Sequence, residues 1–250
     1  MQAKVERLYQ DAAAAYPVGW NVEVHHEYFA SVRFEIGPLV PDHLGTVLEI
    51  GCGSGATMAW LRSTKTVDYA AGVELVPLIG GEARTVFDTV LIGSVDEMSL
   101  KFPIDRFDTI LALDVLEHLK QPEQTVAALC RLLKPGGLFV ASLPNVANFD
   151  VSWPLFFQGQ WDDADEGHLD RTHLRFFSRK SAVALLANAG LEVERVETTY
   201  KYPNIFHPFK WRSQAARWYS QRLLRLLRVP QHLVVSQYLI AARAPSLADL

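Results

Sequence analysis

Between residues 46 and 143, short apolar runs alternate with segments in which apolar residues recur every three or four positions. Unbroken apolar runs suit strands buried on both faces, and their alternation with amphipathic segments is the pattern of a parallel sheet clad in helices. The pattern predicts strands at 46–50, 69–75, 89–93, 107–113 and 138–143. A helix before the last of these opens at Pro122, carries Val126, Leu129, Cys130 and Leu133 as its apolar stripe, and stops at Pro135-Gly136-Gly137. Ser178 caps a further predicted helix ending at Ala189-Gly190; strands follow at 191–198 and, after an insertion, at 233–242. The expected fold is therefore α/β: one domain with a seven-stranded, mostly parallel sheet and helices on both faces. Within it, 1–40 reads as an N-terminal helical cap with an aromatic, His-rich stretch at 22–34. Residues 41–200 read as the core with a substrate loop, 201–230 as a basic helical insertion, and 231–250 as the final strand and tail.

A chain of 250 residues, 49% hydrophobic and 21% charged, is of single-domain size and excludes a disordered, coiled-coil or collagen-like protein. It has no apolar run long enough for a membrane span, and its first residues lack the apolar centre of a secretion signal. Cys52 and Cys130 are too few for a disulfide framework, so the expected compartment is the reducing cytoplasm. The charge is unevenly spread. Residues 1–197 hold 16 Lys+Arg and 27 Asp+Glu, whereas 198–250 hold 8 basic residues and the single acid Asp249. That distribution excludes a uniformly basic nucleic-acid binder. It also singles out 209–228, which reads as an amphipathic helix with basic residues on one side, apolar residues on the other, and Trp211 and Trp218 near the border. Such a helix, over 210–228, can lie on an anionic membrane surface, guide an anionic substrate, or simply pack on the acidic body.

The candidate chemistry begins at Val47-Leu-Glu-Ile-Gly51-Cys-Gly53-Ser-Gly55, which joins the first strand to a helix at 56–62. Glycines there permit a left-handed turn and close approach of a ligand, and the helix N-terminus favours an anion. Glu74 ends the second strand 21 residues after Gly53, where a carboxylate can accept hydrogen bonds from ribose hydroxyls. Gly51, Gly53 and Ala56 also satisfy the dinucleotide pattern, so the loop alone leaves an NAD-type cofactor and another nucleoside ligand both open.

Four strings in unbroken order, VLEIGCGSG, GVEL, FDTILALDVLEHL and LLKPGGLFVASLPN, resemble the S-adenosylmethionine-dependent methyltransferases of the Rossmann-like class. The resemblance runs from about residue 30 to 200. It is nearest to the subgroup of ubiquinone-biosynthesis O-methyltransferases and glycan-pathway methyltransferases, which share DVLEHL-like and THLRFF-like segments. It implies S-adenosyl-L-methionine as cofactor and a last strand that runs antiparallel. It also implies a cofactor site at Arg33, Glu49, Gly51, Cys52, Gly53, Glu74, Ser94, Val95 and Leu113. Gly51 and Gly53 would face the methionine part, Glu74 the ribose, and Arg33 the methionine carboxylate. Many relatives carry Asp directly after the third-strand glycine; here the string is Gly93-Ser94-Val95-Asp96, so either Ser94 and the Val95 amide meet the adenine or Asp96 reaches in.

Asp114, Glu117 and His118 would share one face of a helix, for which three readings stand. Asp114 and Glu117 can form a capping box, His118 can act near the transferred methyl, or the three can bind a divalent metal as the resemblance makes possible. No metal is expected on balance. After the fifth strand, the acidic stretch 161–177 offers His173 as candidate base, Asp170 as its orienter and His168 behind them, or else a solvated polar loop whose His173 and Arg175 only bond the backbone; Trp153, Phe156, Phe157 and Trp161 can wall a pocket or pack in the core. The expected function is methyl transfer to a hydroxyl of a small-molecule or glycan-type acceptor. A non-catalytic cofactor-binding scaffold and an NAD-type oxidoreductase are the alternatives.

Overall fold

A computed structural model of the protein describes residues 29–98, 100–200 and 230–246. The predicted cap is covered only from Phe29 onward, where a 3₁₀ turn runs Phe34–Leu39; the rest of it and the predicted basic helix at 209–228 lie outside the described residues.

The strands are β1 (His43–Ile50), β2 (Thr66–Glu74), β3 (Thr89–Ile92), β4 (Phe107–Leu113), β5 (Leu133–Pro144), β6 (Glu192–Tyr200) and β7 (Val235–Arg243). They form one sheet in the order β3-β2-β1-β4-β5-β7-β6. The pairs from β3 to β5 are parallel, and β7 is antiparallel to both its neighbours. The order reverses between β1 and β4, the position at which open α/β sheets bind ligands beyond their strand ends.

Successive residues of a strand face opposite sides, and the core divides accordingly. Val47, Ala70, Leu111 and Val140 pack with Met58 and Leu61 of α1 (Ala56–Thr64) and with Ile36 and Leu39 of the 3₁₀ turn. Leu48, Ala71, Ile110 and Phe139 pack on the other face with Val126 and Leu129 of α3 (Pro122–Cys130) and with Leu185 and Leu186 of α5 (Arg179–Asn188). Between β2 and β3 lies α2 (Pro77–Ala83), and α4 (Phe149–Gln158) follows β5.

Two local expectations are corrected. Leu133 does not extend the helix: α3 ends at Cys130, and Leu133 opens β5 opposite Phe107, since burial in the sheet outweighs its place in the helical stripe. Nor does Asp114 cap a helix. Residues Leu116–His118 form a single 3₁₀ turn without a side-chain cap, and Asp114 itself adopts the left-handed region at φ 53°. The predicted cap at Ser178 is present, with Ser181 as its reciprocal partner.

Phe139 is fully buried at the centre of β5. Phe139→Ala is expected to destabilise the fold by about 3–5 kcal/mol through lost burial and a residual cavity. Denaturant unfolding with an unchanged m-value would show it, and a midpoint shift under about 1 kcal/mol would contradict this account of the core.

Candidate functional site

The carboxyl ends of β1, β2 and β4 open into a cavity of about 850 Å³. Its floor is the turn from β1 into α1. Gly51 and Gly53 sit at φ 68° and 53°, and a Cβ on Gly53 would lie 2.5 Å from the Phe29 carbonyl oxygen. Only glycine fits both the conformation and the contact. The Gly53 N–H donates to Glu74 Oε2 (3.0 Å) and the Val76 N–H to Glu74 Oε1 (2.9 Å), so the buried Glu74 carboxylate ties the turn to the end of β2. Burial raises the Glu74 pKa, against the lowering effect of the backbone N–H groups of Val76, Gly53 and Leu75. Glu49 is buried beside it with Oε2 unpartnered; burial first, then the Glu74 charge, pushes its pKa up to about 8. Cys52 reaches the cavity, but its thiol is buried against Gly72 and held protonated by that burial.

Across the cavity stand Leu113, Asp114, Ser94 and Val95. Asp96 also lines it, but its carboxylate accepts from the Lys120 N–H (2.7 Å) and the Thr125 hydroxyl (2.8 Å), anchoring the strand end to α3. Arg33 lines the cavity while its guanidinium pairs with Asp114 and Glu35 and donates to Gln237 Oε1 (2.8 Å). Asp114 Oδ1 accepts from Ser142 (2.6 Å) and Gln237 (3.0 Å). This network consumes Asp114, so the anticipated grouping of Asp114 with Glu117 and His118 does not form.

Glu117 and His118 instead meet His173. The two imidazole rings lie edge to face at 4.8 Å. His118 Nδ1 contacts the Thr172 carbonyl (3.2 Å) and hydroxyl (3.0 Å), and that hydroxyl donates to Asp170 Oδ1 (2.6 Å). A carbonyl only accepts, so Nδ1 carries the proton and Nε2 is left as the basic atom. His173 Nδ1 donates likewise to the His168 carbonyl (3.1 Å). Burial first, then His173, lowers the His118 pKa to about 4; burial lowers that of His173 as well. The Glu117 carboxyl, 1% exposed with Oε2 unpartnered, is raised by burial to about 8.

His118 lines the large cavity. Asp170, His173, His168 and Gln237 line a smaller one of about 130 Å³, and Asp114 is part of both walls. Trp153, Phe156, Phe157 and Trp161 line neither, because their helix and loop turn outward. Gln237, Ser142 and Thr172 were missed in sequence; a glutamine inside the apolar run of β7 is the one signal that pointed to any of them. Glu117, His118 and His173 offer ligand atoms within 4.8 Å of one another. With both Nδ1 atoms donating to backbone carbonyls, a divalent ion held here would take the Glu117 oxygen and the two Nε2 atoms and supply a Lewis acid, so metal binding and proton acceptance by His118 Nε2 are mutually exclusive.

A family model described as a methyltransferase domain matches residues 22–196. The chain belongs to that family. Its cofactor is S-adenosyl-L-methionine. The methyltransferase is 29% identical over 175 residues to a ubiquinone biosynthesis O-methyltransferase of Xanthomonas euvesicatoria, covering 68% of this chain and 69% of that one. A protein of the same description from Xanthomonas oryzae is 33% identical over 102 residues, 39% of this chain and 42% of the relative, so that match spans less than half of the relative's length. In fold, the methyltransferase resembles an S-adenosylmethionine-dependent methyltransferase of Archaeoglobus fulgidus, with a TM-score of 0.62 at 18% identity over 87% of this chain and 94% of that one. A second such enzyme, from Mesorhizobium loti, gives 0.56 at 17% identity over 84% and 95%.

Gly53→Arg is expected to abolish S-adenosylhomocysteine binding by filling the turn. Gly81→Ala, where a Cβ meets nothing within 4 Å, should leave it unchanged. Calorimetric titration of both variants measures this, and undiminished binding by Gly53→Arg would place the cofactor elsewhere.

Proposed function

We propose that this methyltransferase transfers the methyl group of S-adenosylmethionine to a hydroxyl of a small-molecule or glycan-type acceptor. The observation that carries the reading is the fixed tautomer of His118. Its Nδ1–H is held by Thr172, and Thr172 by Asp170, so the basic Nε2 belongs to a residue that lines the same cavity as the glycine turn.

On the cofactor side, Gly51, Cys52 and Gly53 present backbone to the methionine part, and Glu74 accepts from the ribose hydroxyls with the lone pairs its two backbone donors leave. Ser94 and Val95 face the adenine, and Leu113 covers the cofactor from β4. Glu49 pairs with the ammonium of the methionine part, and Arg33, already fixed by Asp114, lies where the methionine carboxylate can reach it. On the acceptor side, the hydroxyl oxygen attacks the sulfonium methyl in line while the C–S electron pair returns to sulfur. The hydroxyl proton passes to His118 Nε2. His173 packs against that ring and Asp170 orients it through Thr172, making both positioning residues. Much of the acceleration in such a displacement comes from holding the reacting atoms at about 3–3.5 Å.

The ionisation of Glu49 gives a signature independent of the acceptor. Near pH 7 a carboxyl raised to about 8 is mostly protonated in the free protein, and an ammonium beside it favours the carboxylate. S-adenosylhomocysteine binding should therefore release up to about one proton, seen as a buffer-dependent binding enthalpy that Glu49→Gln removes. A buffer-independent enthalpy in the unaltered protein would separate Glu49 from the ammonium.

Screening hydroxyl-bearing acceptors with labelled S-adenosylmethionine tests the activity itself. His118→Ala should lower kcat by about 10²–10⁴ while leaving S-adenosylhomocysteine affinity intact. Because His118 titrates near 4, kcat/KM should fall on the acid side only below about pH 5. An unchanged kcat in His118→Ala, or an acid limb near pH 6.5, would remove His118 as the proton acceptor.

A further inference from the structure

The smaller cavity, about 130 Å³, is walled by hydrogen-bond acceptors, and among the described residues neither Lys nor Arg lines it. Glu117 is 1% exposed and lines this cavity and not the larger one, with Oε2 buried and unpartnered. Asp170 is also buried. Its Oδ1 accepts the Thr172 N–H (2.8 Å) and hydroxyl (2.6 Å), while Oδ2 has no partner among the described residues. His173 donates through Nδ1 to the His168 carbonyl, so its Nε2 offers a lone pair. Donors on the same wall are directed elsewhere: the Gln237 amide donates to Asp114 Oδ1 (3.0 Å), and His168 Nε2 to the Ser236 carbonyl (3.0 Å).

Buried acceptors without donors carry a penalty that a ligand can remove. Two carboxyl groups and one imidazole nitrogen call for a compact, positively charged group that donates several hydrogen bonds, and a primary ammonium meets that description. The volume equals that of roughly four waters, enough for an ammonium and its first carbon. The two imidazoles divide between the cavities. His118 lines the larger and His173 the smaller, with ring centres 4.8 Å apart, and Asp114 belongs to both walls. A molecule whose hydroxyl faces His118 can therefore place a nearby amine in the smaller cavity.

We propose that the smaller cavity is the subsite for a primary ammonium group of the acceptor, which makes the acceptor an amino alcohol, such as an amino sugar. The inference rests on the methyl-transfer reading of the larger cavity and names the acceptor class for it. The ammonium donates to Glu117 Oε2, Asp170 Oδ2 and His173 Nε2, and the hydroxyl stays with His118 Nε2. An ammonium nitrogen has no lone pair, so the same contacts that hold the amine direct the methyl group to oxygen. A divalent ion is the less favoured occupant, because it would take His118 Nε2 together with Glu117 and His173 and so block proton acceptance.

Calorimetric titration of the S-adenosylhomocysteine complex tests the subsite without requiring turnover. The probes are a panel of amino alcohols and amino sugars, each matched with its N-acetyl derivative and its amine-free parent. Within matched sets, the amine should bind at least about tenfold more tightly than either neutral analogue. Glu117→Gln keeps the shape of the side chain and removes its ionisable oxygen, so it should cancel that preference. Unchanged S-adenosylhomocysteine affinity would show that this variant is folded. Absence of binding by any amine, equal affinities within the sets, or a preference that survives Glu117→Gln would overturn the proposal. So would a preference abolished by a chelator, which would put a metal ion in the cavity, or label from S-adenosylmethionine found on nitrogen. Full-rate methylation of neutral hydroxyl compounds by Glu117→Gln would overturn the subsite and leave hydroxyl transfer standing. Amine-selective binding without any methylated hydroxyl product would support the subsite and contradict hydroxyl transfer.

Discussion

The site depends on one buried carboxylate. Glu74 stands at the end of β2 and accepts the N–H groups of Gly53 and Val76, locking a left-handed turn to the strand beside it. Without those donors, a carboxylate in that position would carry an uncompensated burial penalty; without the carboxylate, two inward N–H groups would be orphaned. The parallel sheet supplies the placement, since β1 and β2 end side by side at the reversal of strand order. A cavity at that point follows from topology, and the proposed fit of a nucleoside-linked amino acid rests on the glycine turn, Glu49 and Glu74.

The second organising contact is Arg33 with Asp114. Asp114 leaves β4 with a left-handed backbone, which costs a non-glycine residue roughly 1–3 kcal/mol. It is held there by Arg33, Ser142 and Gln237, from the segment before β1 and from β5 and β7. These contacts make Asp114 the shared wall of the two cavities and direct Glu117 and His118 towards His173.

What was readable in the chain follows from the range of the interactions. The strands, the glycine turn and Glu74 rest on local periodicity and on a spacing fixed by one β-α-β unit, so residues close in sequence suffice to place them. Asp114 was misread because the run from Asp114 to His118 has helical spacing, whereas partners as distant as Arg33 and Gln237 pull its first residue out of helical geometry. The Thr172 link between Asp170 and His118 joins segments more than fifty residues apart and left no periodic trace. The aromatic residues of 149–158 carry no sequence signal for which way they face; a pocket wall and core packing both fit them, and the structure turns Trp153, Phe156 and Phe157 outward.

The account rests on the cofactor lying along the carboxyl edge with its sulfur turned towards His118. A crystal structure with bound S-adenosylhomocysteine tests this most directly. The account predicts ribose hydroxyls on Glu74, the ammonium on Glu49, and the sulfur facing the space before His118 Nε2. A ligand with its sulfur turned away from His118, or with its ribose remote from Glu74, would contradict it.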